Sequence, residues 1–195
     1  MAGRGPGRNR VRIIGGRHRG RVLQFPDARG LRPSADRVRE TLFNWLQEVI
    51  PGSVCLDLFA GSGAIGLEAA SRGARSVVMV DAAAPVVRQL RKHVASLEVG
   101  EQVEVVQSDA LKFLRGRINP RPFDVVFLDP PFDADILGSV IDGLMRPGWL
   151  ASPAWVYVER PAHRELPPLP ETWTEHRAGV AGDAAFHLFR VGPAV

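Results

Sequence analysis

At 195 residues, with 45% hydrophobic content and a single cysteine, Cys55, the chain suits one domain with a substantial core and excludes an internal disulfide or a multi-cysteine metal site. No apolar run approaches the roughly 18 residues of a membrane span, and the arginine-rich start lacks the apolar stretch of a signal peptide, so a cytoplasmic protein is expected. The net charge of +4 conceals a division: residues 1–40 hold eleven arginines against Asp27, Asp36 and Glu40, a net +8, which leaves −4 on the remainder and points to a polyanion as partner of a basic arm.

Residues 1–10 have almost nothing to bury and are expected to be a disordered basic tail. Residues 11–33 form an extension in which Val11–Ile14 and Arg21–Phe25, separated by Gly15-Gly16-Arg17-His18-Arg19-Gly20, predict a β-hairpin with a basic tip. Arg10, Arg12, Arg17, Arg19 and Arg21 are candidates for RNA phosphate contact, because the guanidinium fork matches phosphate geometry; a solvated, charge-rich loop is the bland alternative. Arg32, Arg37 and Arg39 extend that set, and His18 reads as a surface or stacking residue.

The main domain is residues 34–195. Ser34 reads as an N-cap for a helix to about Val49, with Val38, Leu42, Trp45, Leu46 and Val49 on one face and Pro51-Gly52 as its stop. Arg37, Arg39 and Glu40 are then either exposed helical charges or residues lining the mouth of a site. From Ser53 onward strands alternate with helices. Val54–Phe59, Ser76–Val80, Val103–Val106, Asp124–Leu128 and Trp155–Glu159 are strands; helices run to Ala70, over Pro85–Leu97, near Leu111–Leu114 and over Asp135–Met145. This alternation predicts an α/β, doubly wound parallel sheet. After the proline-rich loop Pro161–Pro170, Trp173–Val180 and Ala184–Val191 read as a hairpin turning at Gly182-Asp183.

Two stretches carry chemistry. Gly61-Ser62-Gly63-Ala64-Ile65-Gly66 follows the first main strand and opens a helix, and Asp81 lies 20 residues after Gly61, where an acidic residue can bind ribose hydroxyls. Asp57 is awkward beside a pyrophosphate but suits a cationic amino-acid ligand such as S-adenosylmethionine, which carries a sulfonium and an α-amino group. Asp109, before Ala110, reads as a helix cap or as an acceptor for an adenine amino group. The second stretch, Asp129-Pro130-Pro131-Phe132, ends a buried strand with a carboxylate, a free proline carbonyl and a ring. It suits an amine on an aromatic base: Asp129 and the Pro130 carbonyl accept the amine N–H bonds and Phe132 stacks on the base.

These motifs, Asp57-Leu58-Phe59-Ala60-Gly61-Ser62-Gly63, Asp81, Asp109 and Asp129-Pro130-Pro131-Phe132, resemble those of class I S-adenosylmethionine-dependent methyltransferases acting on amino groups. With Arg12-Ile13-Ile14-Gly15-Gly16, the run Leu31–Trp45 and Val180-Ala181-Gly182-Asp183, the chain resembles the bacterial 16S ribosomal RNA guanine-N2 methyltransferases of the RsmD type from about Arg12 to its end. The resemblance implies a Rossmann-like, seven-stranded, mostly parallel sheet with its last strand antiparallel. It implies Asp57, Phe59, Ala60, Gly61, Ser62, Gly63, Asp81, Asp109 and Ala110 as contacts of S-adenosylmethionine, with Asp129, Pro130 and Phe132 as catalytic residues and no metal. The implied substrate is 16S ribosomal RNA, in the 30S subunit or an assembly intermediate, and a monomer is expected. Rivals are an N6-adenine DNA or RNA methyltransferase, a glutamine-amide methyltransferase, an NAD-dependent dehydrogenase, which Asp57 disfavours, and a non-enzymatic RNA-binding module.

Overall fold

The computed structural model describes residues 10–25, 36–116, 121–131 and 135–192. The tail 1–9, Arg32, the expected cap Ser34 and the ring of Phe132 lie outside the described residues. Seven strands form one sheet: β3 (Val54–Asp57), β4 (Ser76–Asp81), β5 (Val103–Gln107), β6 (Phe123–Leu128), β7 (Leu150–Pro161), β8 (Trp173–Ala181) and β9 (Ala184–Val191), in spatial order β5-β4-β3-β6-β7-β9-β8. β9 enters between β7 and β8 and runs antiparallel to both, while β5, β4, β3, β6 and β7 pair in parallel. The sheet is Rossmann-like with a reversed last strand.

Every residue of β3 is buried because helices cover both faces of the central strands. On one face Cys55, Val125, Phe127, Tyr157 and Leu188 pack with α1 (Asp36–Trp45), α2 (Ala64–Ser71) and α3 (Ala84–Ser96). On the other, Leu56, Val126, Leu128, Val156 and Val158 pack with α4 (Ala110–Arg115) and α5 (Leu137–Leu144). Helix α1 stops at Trp45, four residues before the expected Val49, and the chain continues through turns to Ile50, whose N–H still reaches the Leu46 carbonyl. Among the described residues no helix is long and apolar enough to cross a membrane.

The expected N-terminal hairpin is present as β1 (Arg10–Arg12) paired antiparallel with β2 (Val22–Gln24). It is docked rather than free-standing, since Val11, Ile13, Leu23 and Phe25 belong to the same buried cluster as α1 and α2. At its tip Ser71 Oγ donates to the Gly15 carbonyl, and the Arg17 N–H reaches the Ser71 carbonyl. Gly16 sits at φ 74°, where an added Cβ would lie 1.9 Å from the Ser71 oxygen, so a side chain there would push the tip off α2.

Candidate active site

The sheet order reverses between β3 and β6, the place where open α/β sheets bind ligands beyond their carboxyl ends. Asp57 pairs with Phe127 across these strands, so the glycine turn after β3 and Asp129 after β6 flank one crevice. Further along the same edge come Asp81, ending β4, and Asp109, just beyond β5. Four carboxylates thus follow the ends of four adjacent strands.

The glycine turn packs tightly against the helices and strand around it. Gly61 and Gly63 adopt φ 49° and 80°, and a Cβ on Gly63 would lie 2.6 Å from Leu90. A Cβ on Gly66 would lie 2.6 Å from the Met79 sulfur, so the third glycine lets α2 sit tightly on β4. Asp57 is buried, 1% exposed, and its Oδ2 accepts the Gly66 N–H at 2.9 Å. Burial pushes its carboxyl up to about 7, assisted by the nearby Asp81 charge and opposed by the bond from Gly66. Asp57 therefore braces the turn from beneath. Asp81 accepts N–H bonds from Gly61 at 3.0 Å and Ala83 at 2.8 Å, tying the turn to the end of β4. Phe59 is half-buried, whereas Ala60, Ser62 and Ala110 are buried. Asp109 is exposed and caps α4 by accepting the Lys112 N–H at 3.0 Å, the first of its two expected roles.

On the other side of the crevice Asp129 is half-buried, Pro130 buried and Pro131 exposed. A pocket of about 150 Å³ opens beside the two prolines, lined also by Leu137, Gly138, Arg160 and Arg164. The expected strand Trp155–Glu159 is longer, Leu150–Pro161, and it carries a pair of side chains that the sequence reading missed. The Tyr157 hydroxyl donates to Glu159 Oε2 at 2.9 Å, and both side chains are buried. The available signal was a carboxylate closing an apolar strand run, the pattern that also marks Asp81.

Of the arginines expected to face RNA, Arg10, Arg12, Arg17, Arg19, Arg21 and Arg37 are exposed, with Arg21 donating to the Ser96 carbonyl at 3.0 Å. Arg39 is a correction. It is fully buried, so it is neither an exposed helical charge nor a residue of the site's mouth. Its Nη2 pairs with Asp36 at 2.6 Å and donates to the Arg12 carbonyl at 3.0 Å, and its Nη1 lies 3.8 Å from Glu68. Position 39 lies one turn before Phe43, on the buried stripe of α1, and the guanidinium neutralises the buried Glu68 there.

The family described as Conserved hypothetical protein 95 matches residues 11–190. Ribosomal RNA small subunit methyltransferase D of Escherichia coli (strain K12) is 47% identical over 184 residues, covering 94% of this chain and 91% of that protein. The solved structure of yhhF from Escherichia coli is 45% identical, with a TM-score of 0.86 over 94% of this chain and 98% of that one. An RNA methyltransferase from Salinibacter ruber, solved in complex with S-adenosyl-L-homocysteine, shares the fold at 18% identity and a TM-score of 0.59, covering 84% of this chain and 96% of that one.

Proposed function

This chain belongs to the family described as Conserved hypothetical protein 95, and we propose that it methylates the N2 amine of a guanine in 16S ribosomal RNA, in the 30S subunit or an assembly intermediate, with S-adenosylmethionine as donor. The observation that carries the reading is the shared crevice: a glycine turn that allows backbone approach lies directly across the switch point from Asp129 and Pro130. The residues fit the donor, since Gly61 and Gly63 carry the backbone through left-handed conformations at the crevice, and Asp81 and Asp109 stand at the next strand ends as acceptors for hydroxyl and amino groups. When bound, S-adenosylmethionine would supply a methyl group made electrophilic by its sulfonium, the S–CH3 bond breaking with its electron pair left on sulfur and S-adenosylhomocysteine as the leaving group.

The chain's own residues prepare the amine. Guanine N2 is a weak nucleophile because its lone pair is delocalised into the ring. The Asp129 carboxylate and the Pro130 carbonyl accept its two N–H bonds, turn the lone pair toward the methyl carbon and stabilise positive charge on nitrogen as the new N–C bond forms. Asp129 then takes the surplus proton or passes it to water. Phe132 is assigned to stack on the base, which must leave its helix to be reached. The exposed arginines of the docked hairpin supply phosphate contacts.

Labelled S-adenosylmethionine offered with 30S subunits, naked ribosomal RNA and DNA, followed by nucleoside analysis, tests the reading. Label is expected in N2-methylguanosine of the small-subunit RNA; label in DNA adenine, or none in RNA, overturns it. Asp129→Ala is expected to lower turnover at least ~10³-fold while calorimetric binding of the cofactor stays near wild type. Retained turnover removes Asp129 from the mechanism.

A further inference from the structure

The Tyr157–Glu159 pair is unused by the mechanism above, yet it stands at the reacting end of the sheet. Leu128 of β6 is in register with Val158 of β7, so the next residues, Asp129 and Glu159, come side by side where β6 ends against β7, which runs on to Pro161. Phe127 and Tyr157 are likewise paired, and both pack in the cluster on the α1 and α2 face. With a period of two along each strand, Asp129 and Glu159 follow them onto that face. Tyr157 is held well above the usual phenol range by burial and by the charges of Glu159 and Asp129. It therefore stays a donor, and its bond fixes the position of Glu159, which is only 5% exposed.

We propose that Glu159, held by Tyr157 beside Asp129, accepts the N1–H of the target base and so selects guanine. The inference rests on the reading that the chain methylates an exocyclic amine on a base. Adenine N6 and cytosine N4 each lie next to a ring nitrogen that is an acceptor, and a side-chain amide nitrogen lies next to its own carbonyl oxygen. Guanine N2 lies next to a ring N–H. Neighbouring strands are about 4.8 Å apart, a spacing that lets two carboxylates receive two adjacent donors from one base edge. A carboxylate accepts several donors at once, so Glu159 can hold the base as well as Tyr157. Facing an acceptor instead, it would meet lone pair with lone pair, and adenine would be rejected at the amine-binding step.

The test uses 30S particles assembled around ribosomal RNA carrying guanosine or 2-aminopurine riboside at the nucleotide located by labelled methyl transfer. 2-Aminopurine keeps the C2 amine but presents N1 as an acceptor. Wild type is expected to prefer guanosine by about 100-fold in kcat/KM. Glu159→Gln, whose amide can donate to N1, narrows that preference by at least about tenfold, with calorimetric cofactor binding unchanged. Tyr157→Phe, which removes one of the bonds that position the carboxylate, narrows it severalfold. A wild-type preference near one overturns the assignment without any variant, and so does an equal preference in wild type and in a Glu159→Gln protein that still binds the cofactor. A wild type that methylates neither particle overturns the function on which the assignment rests.

Discussion

The Asp57 carboxylate is sealed beneath the glycine turn, where it accepts the Gly66 N–H at 2.9 Å and is 1% exposed. Its carboxyl is raised from 3.8 to about 7, chiefly by burial, so between those values the unfolded chain has lost the proton that the folded chain keeps. Stability attributable to Asp57 is therefore full below pH 3.8 and lost as pH rises to about 7, a difference of about 4 kcal/mol at most. Asp57→Asn keeps an acceptor for Gly66 and removes the titration. Thermal melts are expected to show the variant more stable than wild type at pH 8, with the gap closing toward pH 5; parallel stability curves would contradict this account.

At the scale of elements, the hairpin β1–β2 and helix α2 behave as one unit. Glu68, buried in α2, accepts the Ile14 and Gly15 N–H groups at 2.7 Å each and pairs with Arg72 at 2.7 Å, while Arg39 approaches from α1. Removing one member of a buried ion cluster strands the others, so Glu68→Ala is expected to cost about 3–5 kcal/mol. Denaturant unfolding gives the loss, and hydrogen exchange at Ile14 to Arg17 is expected to accelerate in the variant; unchanged protection there would mean that the hairpin docks without the clamp. The hairpin itself was readable, because two apolar runs around a glycine-rich tip have few other solutions. Its docking was not, since Glu68 in Gly66-Leu67-Glu68-Ala69-Ala70 reads as an ordinary helical charge until Arg39, Arg72 and two amides from distant segments meet it. The strands around the crevice were readable for a similar reason: largely buried parallel strands leave apolar runs, and β3, β4 and β6 each end at or just before a carboxylate. The hairpin read at Gly182-Asp183 makes β9 antiparallel to β8, but the insertion of β9 between β7 and β8 is a long-range pairing with no local signature.

For the whole molecule, the division of charge acquires a mechanical meaning. The net +8 of residues 1–40 includes arginines on a hairpin clamped to α2, the helix that begins at the glycine turn. Under the proposed function, an RNA held by that hairpin is held in a fixed relation to the crevice, which would serve a methyl transfer whose rate depends on placing amine and methyl in line. The exposed and buried arginines should then separate into two classes. Arg12, Arg17 and Arg19 face solvent, and replacing all three with Gln is expected to weaken RNA binding while reducing the slope of log K against log salt by about 2 to 3 and leaving the melting temperature nearly unchanged. Arg39→Gln removes a charge from the same segment, but one buried against Glu68 and Asp36; it should lower the melting temperature and leave the salt slope as it was. If net charge alone governed RNA binding, Arg39→Gln would reduce the slope by about one third as much as the triple variant, so the comparison separates an oriented basic surface from a diffuse positive field.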